Sequence, residues 1–554
     1  LGDVYKRQGL DGPYTQILID SRPVFSALSG VYGLEQIPAS MIERVEVMRG
    51  GGSALFGSSA IAGTINIITK EPLRNSGQLS HTITSLGGSS SFDNNTSLNA
   101  SLVTDDHRAG LYIFGQNRYR SGYDYDGDGF TELPKLKNQT VGFRSYLKTS
   151  TYSKLTFEYH HMQEFRRGGD MLNRPPHEAH IAEQLQHSID GGSLKFDYFS
   201  PDEKNRLSVF ASAANTDRDS YYGPGNDPLK AYGKTTDLTA MGGAQYVHTF
   251  DKCFFMPSDL TAGLEYNRDR LKDNMWGYNR HTDQTVNIYS AFLQNEWKND
   301  RWGILIGGRL DKHNMVDNVI FSPRANLRFN PTQNINLRLS YSSGFRAPQA
   351  FDEDMHIENV GGTVAMIERA KDLKEEKSQS FSASADMYHR FGAFQTNLLI
   401  EGFYTRLTDV FVLGKPYDRG DGILVKTRSN GPGAKVMGLT LEGKVAYLSI
   451  LQIQAGLTLQ RSRYDEPHKW HDDAPAEKKI FRTPDTYGYF TATCTPIKPL
   501  SIALSGTYTG RMLVQRMDIT AENAELGKMP ERKAEAIRTP RFFDLGVKLA
   551  YDFK

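Results

Sequence analysis

Apolar and polar residues alternate along most of the chain, from about residue 77 to its end. The segment INLRLSYSSGF, for example, puts Ile335, Leu337 and Leu339 on one side and polar residues on the other. The last segment, FFDLGVKLAYDF, repeats the pattern from Phe543 to Phe553. A period of two predicts β-strands with one apolar and one polar face.

Alternation alone fits either a soluble sandwich or a membrane barrel, and three further features favour the barrel. The segments are long, and their connections alternate between short and long. The predicted short turns are 104–110, 299–303, 330–334, 389–394 and 495–500. The predicted long loops are 120–139, 166–187, 218–236, 346–377, 463–482 and 511–539. Aromatic residues also stand at segment ends, where girdles are expected: Tyr112, Phe114, Tyr119, Tyr487, Tyr489, Phe490, Tyr551 and Phe553. The sequence therefore predicts a mainly-β, transmembrane antiparallel barrel with about twenty strands, of the roughly 22 that large plugged barrels have.

Composition narrows the class further. The 554 residues are 38% hydrophobic and 11% aromatic, with a mean hydropathy of −0.51. No run of eighteen apolar residues occurs, so a membrane helix is excluded. The net charge of +1 gives no indication of a nucleic-acid partner. Cys253 and Cys494 have no metal-binding spacing.

The two ends of the sequence raise a separate expectation. The residues from Asp3 to Gln8 back-translate as GATGTGTATAAGAGACAG, which resembles the mosaic-end adapter of transposase-based sequencing libraries. We therefore expect residues 1–8 to be an artefact that replaces natural upstream sequence. The chain stops at Lys554 inside its last predicted strand, and we expect a final hairpin to be missing.

A glycine-rich stretch between Gly50 and Gly63 superficially resembles a phosphate loop. Gly52 and Gly57 have the required spacing, but Ser58 follows where the phosphate-binding lysine should stand. The stretch HEAH is one residue short of the zinc-helix motif, and no GxSxG elbow is present. The sequence thus indicates no enzyme.

Residues 18–24 (LIDSRPV) and 37–72 (IPASMIERVEVMRGGGSALFGSSAIAGTINIITKEP) resemble the plug domain of TonB-dependent outer-membrane transporters. The stretches GFRAPQAFDEDMH, KDLKEEKSQSF and GLTLEG resemble barrel segments of the same family, with Phe345, Arg346 and Pro348 as a barrel signature. The resemblance implies the C-terminal part of an α+β plug over 9–72. It also implies a barrel over 73–554.

The resemblance further implies active import across the Gram-negative outer membrane. The family's energy partner is the TonB–ExbB–ExbD complex, its surroundings are outer-membrane lipid, and it requires no cofactor. An iron–siderophore complex is the leading substrate, with cobalamin or haem as alternatives. A passive porin is the rival from another class, and it would lack a plug. In the family, the arginine of the RG pair and nearby acids seat the plug, a role that maps onto Arg49, Glu43 and Glu46. Simple solvation of these charges is the alternative.

Two groups of polar residues are candidate ligand sites. Asp124, Asp126 and Asp128 alternate before Gly129, as carboxylates converging on Ca²⁺ do. The pattern departs from a full calcium loop because Lys135 stands where a glutamate is expected. A solvated acidic turn is the alternative, and Glu132 would contribute only through a different geometry.

The second group lies at the mouth of a long loop, and its members are substrate candidates: Asp352, Glu353, Asp354 and His356. In haem-uptake members a histidine lies between two sequence boxes, and His356 has that placement. The second box departs from the family pattern, however, because it reads AKDL from Ala370. A further set of histidines has no defined ligand spacing: His160, His161, His177, His180 and His187.

Overall fold

The computed structural model describes residues 14–23, 28, 37–49, 56–58, 60–224, 231–350, 355, 358–360, 363–421, 423–470, 474–519 and 532–553. Residues 1–8, expected to be an artefact, lie outside this part of the chain. The same is true of four substrate candidates: Asp352, Glu353, Asp354 and His356. Predictions that fall on those residues stay predictions.

The first four strands of the chain form a small mixed sheet, which we call the inner sheet. Its strands are β1 (Thr15–Ile19), β2 (Arg22–Pro23), β3 (Ile42–Arg49) and β4 (Gly63–Thr69), in the spatial order β2-β1-β4-β3. The central strand β4 reads GTINIIT and is buried along nearly its whole length, because it is covered on both faces. A 3₁₀ turn, Ala39–Met41, leads into β3.

The rest of the chain is dominated by long antiparallel strands. The first thirteen are β5 (Ser76–Ser85), β6 (Phe92–Val103), β7 (Ala109–Arg120), β8 (Thr131–Ser150), β9 (Ser153–Gly169), β10 (Ile181–Phe199), β11 (Asn205–Pro224), β12 (Tyr232–Cys253), β13 (Met256–Met275), β14 (Arg280–Lys298), β15 (Trp302–His313), β16 (Ile320–Thr332) and β17 (Ile335–Arg346). Two further 3₁₀ turns are Pro176–Glu178 and Trp276–Tyr278.

The remaining strands are β18 (Glu358–Val360), β19 (Thr363–Arg369), β20 (Glu376–Phe391), β21 (Phe394–Thr408), β22 (Phe411–Leu413), β23 (Tyr417–Asp418), β24 (Leu424–Asn430), β25 (Ala434–Tyr447), β26 (Leu451–His468), β27 (Glu477–Lys479), β28 (Thr486–Ile497), β29 (Leu500–Thr509), β30 (Leu513–Ile519), β31 (Arg532–Arg538) and β32 (Phe542–Tyr551). Strands β18, β19, β22, β23 and β24 form one small sheet in the long loops, and β30 and β31 form another.

The other strands form one closed barrel in which neighbours follow in chain order. Apart from the three-residue β27, the described part of the chain supplies twenty barrel strands. This confirms the predicted fold class and strand number.

The apolar faces of the strands point away from the barrel axis. On β32, Leu545, Val547 and Leu549 are 62%, 73% and 70% exposed. Charged side chains are buried inside instead, such as Arg309 and Asp311 at 2% and 1% exposure. A soluble sandwich would bury its apolar face, whereas a membrane barrel turns it toward lipid. No helix within the described ranges is long and apolar enough to span a membrane.

The connections alternate between short and long, as the sequence predicts, but several long loops are shorter than expected. Residues 131–139, for example, belong to β8 and residues 181–187 to β10. At least three predicted girdle residues face the lumen instead of lipid, and one of them is Tyr489, which lines a lumen cavity with Val47 and Met48 of β3. Tyr112 and Phe114 are 4% and 3% exposed, and they face the lumen rather than lipid.

Candidate functional site

The inner sheet is held in the lumen by a cluster of charges around Arg144 of β8. The Arg144 guanidinium donates to Asp20 Oδ2 at 2.6 Å and to Glu71 Oε1 at 3.1 Å, and it also bonds to Glu158 and to the Thr69 hydroxyl. Asp20 lies in the turn after β1, and its carboxylate also accepts the Thr69 hydroxyl at 2.6 Å. One wall arginine therefore joins the ends of β1 and β4 to the barrel.

Two further cations balance the cluster. Lys154 Nζ donates to Glu71 Oε1 at 3.2 Å. The guanidinium of Arg22 in β2 lies 5.4 Å from the centre of the Phe210 ring. Burial lowers the pKa of Arg22, and the neighbouring carboxylates of Glu158 and Asp20 counter part of that effect. The cluster thus contains three cations and three carboxylates between the inner sheet and the wall.

A second contact forms where β1 begins. The buried Tyr14 hydroxyl donates to Glu376 Oε1 of β20 at 2.7 Å. The Arg346 guanidinium lies 5.6 Å from the centre of the Tyr14 ring and 5.4 Å from that of Phe411. Burial, and then the negative charge of Glu376, raise the pKa of Tyr14 well above its usual value. Apolar residues from the N-terminal region and from the barrel strands and their loops surround this contact: Ile61, Ala62, Phe403, Leu407, Val410, Ala434 and Val436.

The predicted barrel signature lies beside this contact. Arg346 contributes directly to it, while Phe345 is fully buried in a separate apolar cluster with Val316 and Ile320. The Pro348 carbonyl accepts a hydrogen bond from Arg369 at 3.0 Å. The signature therefore combines one residue at the inner sheet with others that stabilise the wall near the loops.

The 3₁₀ turn before β3 makes the third contact. The Tyr112 hydroxyl donates to the Ser40 carbonyl at 2.6 Å, and Met41 packs against Tyr112 and Phe114. This contact explains why the two aromatic residues face inward: they form the wall's surface for the inner sheet.

The predicted seating residues lie on β3, at the edge of the inner sheet. Glu43 is exposed, and Glu46 bonds within the inner sheet to Arg44 at 2.8 Å and to Asn66 at 3.3 Å. Arg49 pairs through its main chain with Gly63, and its side chain lies outside the described atoms. In the described part of the chain, neither carboxylate hydrogen-bonds to the barrel wall. Their seating role stays a prediction.

Two larger cavities lie between the inner sheet and the wall in the part of the chain that the structure describes. One of about 220 Å³ is mainly apolar and lies against β8 to β12, where it is lined by Ile19, Leu28, Met41, Met162 and Met241 among others. The other, of about 880 Å³, lies between Val47 and Met48 of β3 and the opposite wall. Its wall side includes many hydroxyl groups: Ser340, Ser342, Ser380, Ser382, Ser384 and Thr405.

In the acidic loop, residues 124–132, the residues predicted to bind calcium lie close together. Ligand oxygens of Asp124, Asp126, Asp128 and Glu132 lie within 4.8 Å of one another. Asp124 also accepts the backbone N–H groups of two glycines, at 2.7 and 2.9 Å, which folds the loop around it. The structure thus adds Glu132 to the set, and the calcium prediction itself stays open.

The five histidines do not form one ligand set. His160 and His187 face the lumen, while His161 bonds to Asp190 at 2.9 Å. The loop histidines bond separately: His177 to Tyr232 at 2.9 Å, and His180 to Asp170 at 2.6 Å. Burial alone would raise the pKa of Asp170, but hydrogen bonds from His180 and from the backbone hold that pKa below its usual range.

Comparisons with known proteins agree with this architecture. The model "TonB dependent receptor-like, beta-barrel" matches residues 66–554, and "TonB-dependent Receptor Plug Domain" matches residues 2–64. The vitamin B12 transporter BtuB of Vibrio vulnificus is 23% identical over 362 residues, or 62% of this chain and 54% of that protein. An iron-regulated outer membrane virulence protein of Vibrio cholerae is 27% identical over 363 residues, or 62% of this chain and 51% of that protein. The chain therefore spans about half the length of these relatives.

Solved structures share the fold. The siderophore receptor PirA from Acinetobacter baumannii superposes with a TM-score of 0.78 at 17% identity, covering 99% of this chain and 85% of that one. The ferric-catecholate import receptor Fiu from E. coli K12 superposes with a TM-score of 0.71 at 14% identity, covering 100% and 85%.

Proposed function

The chain belongs to the TonB-dependent receptors of the Gram-negative outer membrane, and we propose that it imports an iron–siderophore complex by TonB-dependent active transport. The inner sheet is then the plug, and a pull transmitted by TonB, ExbB and ExbD opens a path past it. The observation that carries the proposal is the chemistry of the contact between plug and wall.

The contact at the ends of β1 and β4 is polar. The cluster around Arg144 joins plug and wall by charged hydrogen bonds, and the cavity beside β3 is lined by hydroxyl groups. Charged groups pulled apart in a polar lumen are solvated again, so much of the lost bonding is recovered. A plug held by such bonds can be moved by force without exposing a large apolar core.

A passive porin is the weaker alternative. Diffusion needs an open lumen, whereas the plug here contacts the wall at Asp20, Tyr14 and Ser40. A second candidate substrate is cobalamin, because one relative is named as a vitamin B12 transporter. The structural neighbours named as siderophore or ferric-catecholate receptors support iron as the first choice.

Uptake in cells tests the proposal. The full-length gene is expressed in a Gram-negative strain without its own siderophore, cobalamin and haem receptors. Radioactive iron bound to catecholate or hydroxamate siderophores is compared with labelled cobalamin and with haem. We expect iron–siderophore uptake that stops when TonB is deleted or when a protonophore is added. Uptake that continues without TonB would identify a porin. Uptake of cobalamin alone would show that cobalamin, and not an iron–siderophore complex, is the substrate.

A further inference from the structure

Strand register brings four basic residues side by side near the long-loop end of the barrel. Arg406 of β21 is opposite Lys435 of β25, which is opposite Arg463 of β26, which in turn is opposite Lys479 of β27. We call these four residues, with Arg461 of β26, the basic row. Residues directly opposite in antiparallel strands share one face, and like charges there repel each other. The row is therefore unfavourable unless anions neutralise it.

The basic row lies on the outer face of the barrel, not in the lumen. Met437 and Leu439 share the face of Lys435 and are each 42% exposed, while the alternate residue Val436 is fully buried. On β26, Leu459 shares the face of Arg463 and is 47% exposed, whereas Ser462 is 2% exposed. A substrate in the lumen therefore does not reach the row.

The height of the row matches the headgroup region of the bilayer. Arg461 and Arg463 follow Leu459 by two and four residues, so Arg463 lies about 13 Å further along the strand. A strand tilt near 45° reduces this distance to about 9 Å along the membrane normal. The row lies toward the long loops, which face the cell exterior in such barrels. It therefore stands just above the apolar band, in the outer leaflet.

Only part of the row's charge is neutralised within the chain. Lys435 pairs with Asp465 at 2.7 Å, and Lys479 pairs with Asp485 at 2.6 Å. Arg406, Arg461 and Arg463 are exposed, and they bond to no carboxylate in the part of the chain that the structure describes. Five cations against two carboxylates leave a local charge of about +3.

We propose that the basic row binds the phosphate groups of a phosphorylated glycolipid in the outer leaflet. Three arginine guanidinium groups lie at the height of the lipid headgroups. Each can donate two parallel hydrogen bonds to the oxygens of a phosphate group. The acyl chains of the same lipid would cover the exposed leucines below. Bound phosphate would also remove the repulsion between opposed cations, so the lipid would stabilise this side of the wall.

A binding experiment in detergent tests the proposal. The purified chain is titrated with diphosphorylated lipid A and with its dephosphorylated form, and complexes are counted by native mass spectrometry. A triple variant replaces the three unpaired arginines of the row (R406Q, R461Q and R463Q). The control removes three exposed cations at the short turns (R108Q, K252Q and K498Q), with the same change in net charge.

We expect the row variant to bind diphosphorylated lipid A at least tenfold more weakly, while the control binds like the unmodified chain. A second variant with lysine at the three positions keeps the charge and should retain part of the affinity. A shift in gel mobility on heating verifies that each variant is a folded barrel. Equal weakening in the control, or binding that ignores the phosphates, would overturn the proposal.

Discussion

Replacing Asp20 by asparagine should loosen the plug without damaging the barrel. The Asp20 carboxylate is 15% exposed and accepts Arg144 at 2.6 Å and the Thr69 hydroxyl at 2.6 Å. A hydrogen bond to a charged group contributes about 1.5–3 kcal/mol. The larger penalty for a stranded buried charge does not apply, because Arg144 keeps Glu158 and Glu71 as partners. We therefore expect Asp20→Asn to cost about 1.5–3 kcal/mol of plug docking.

Hydrogen exchange in detergent measures this loss directly. The exchange rate of a protected amide follows the equilibrium for local opening, so amides of β1 and β4 should exchange about 10- to 150-fold faster. Glu71→Gln is the matched control: Glu71 is 37% exposed, and such a pair contributes only about 0.2–1 kcal/mol. The reasoning fails if both variants accelerate exchange equally. It also fails if amides of β13 and β14, far from the cluster, accelerate as much as the plug does.

Three other variants, one of them a double substitution, test separate contacts. Tyr14→Phe leaves a buried oxygen of Glu376 without its donor, and it should lower unfolding stability by about 1–3 kcal/mol in thermal melts; an unchanged melting temperature would contradict this. Because the folded state lowers the pKa of Asp170, its stabilising bonds should persist above about pH 3.9 and weaken as the pH falls through the folded value. Asp170→Asn should remove that dependence from exchange in its loop. Asp124→Asn with Asp128→Asn should abolish calcium binding in the range of about 0.1–1 mM by calorimetry, and equal heats in both proteins would favour the solvated turn.

Alternation predicted the barrel because a membrane leaves a strand only one choice for each face. Leu545, Val547 and Leu549 lie where that argument places them. The predicted girdle residues that face the lumen show where the argument from alternation is incomplete. Tyr112 and Phe114 share a parity opposite to that of the exposed Ile113, so they belong to the lumen face. An aromatic residue near a strand end therefore indicates a girdle only if it shares the face of the exposed apolar residues of its strand.

Loop boundaries were overestimated for a related reason. Beyond the bilayer both faces of a strand are solvated, so the period-two signal disappears while the strand continues. Residues 131–135 (TELPK) are mostly polar and turn-like in sequence, and none of them is buried, yet they form the start of β8. The hydrogen bonds between strands, which the sequence does not display, maintain the ladder there.

The residues that hold the plug were harder to predict than the plug itself. Asp20 lies within the recognised stretch LIDSRPV, but its partner Arg144 is 124 residues away. Arg144 is one of many polar residues on lumen-facing positions, and nothing in its spacing distinguishes it. The family resemblance maps the seating role onto Glu43 and Glu46 of β3, at the sheet edge, and that role stays a prediction. Pairing across a lumen depends on three-dimensional placement, not on sequence distance.

The positions of the contacts also indicate where the plug would yield first. Strand β1 has only five residues, and wall contacts stand at both of its ends, through Tyr14 and Asp20. A pull applied from the N-terminal side reaches the hydrogen bond of Tyr14 before it reaches the charge cluster. Once that bond breaks, the load passes along β1 to Asp20 and then to β4 through their parallel pairing. Ser40 and Met41 lie further along the chain and would still hold β3 to the wall. Under the proposed route, the contacts at Tyr14 and Asp20 would therefore be loaded before the contact at Ser40.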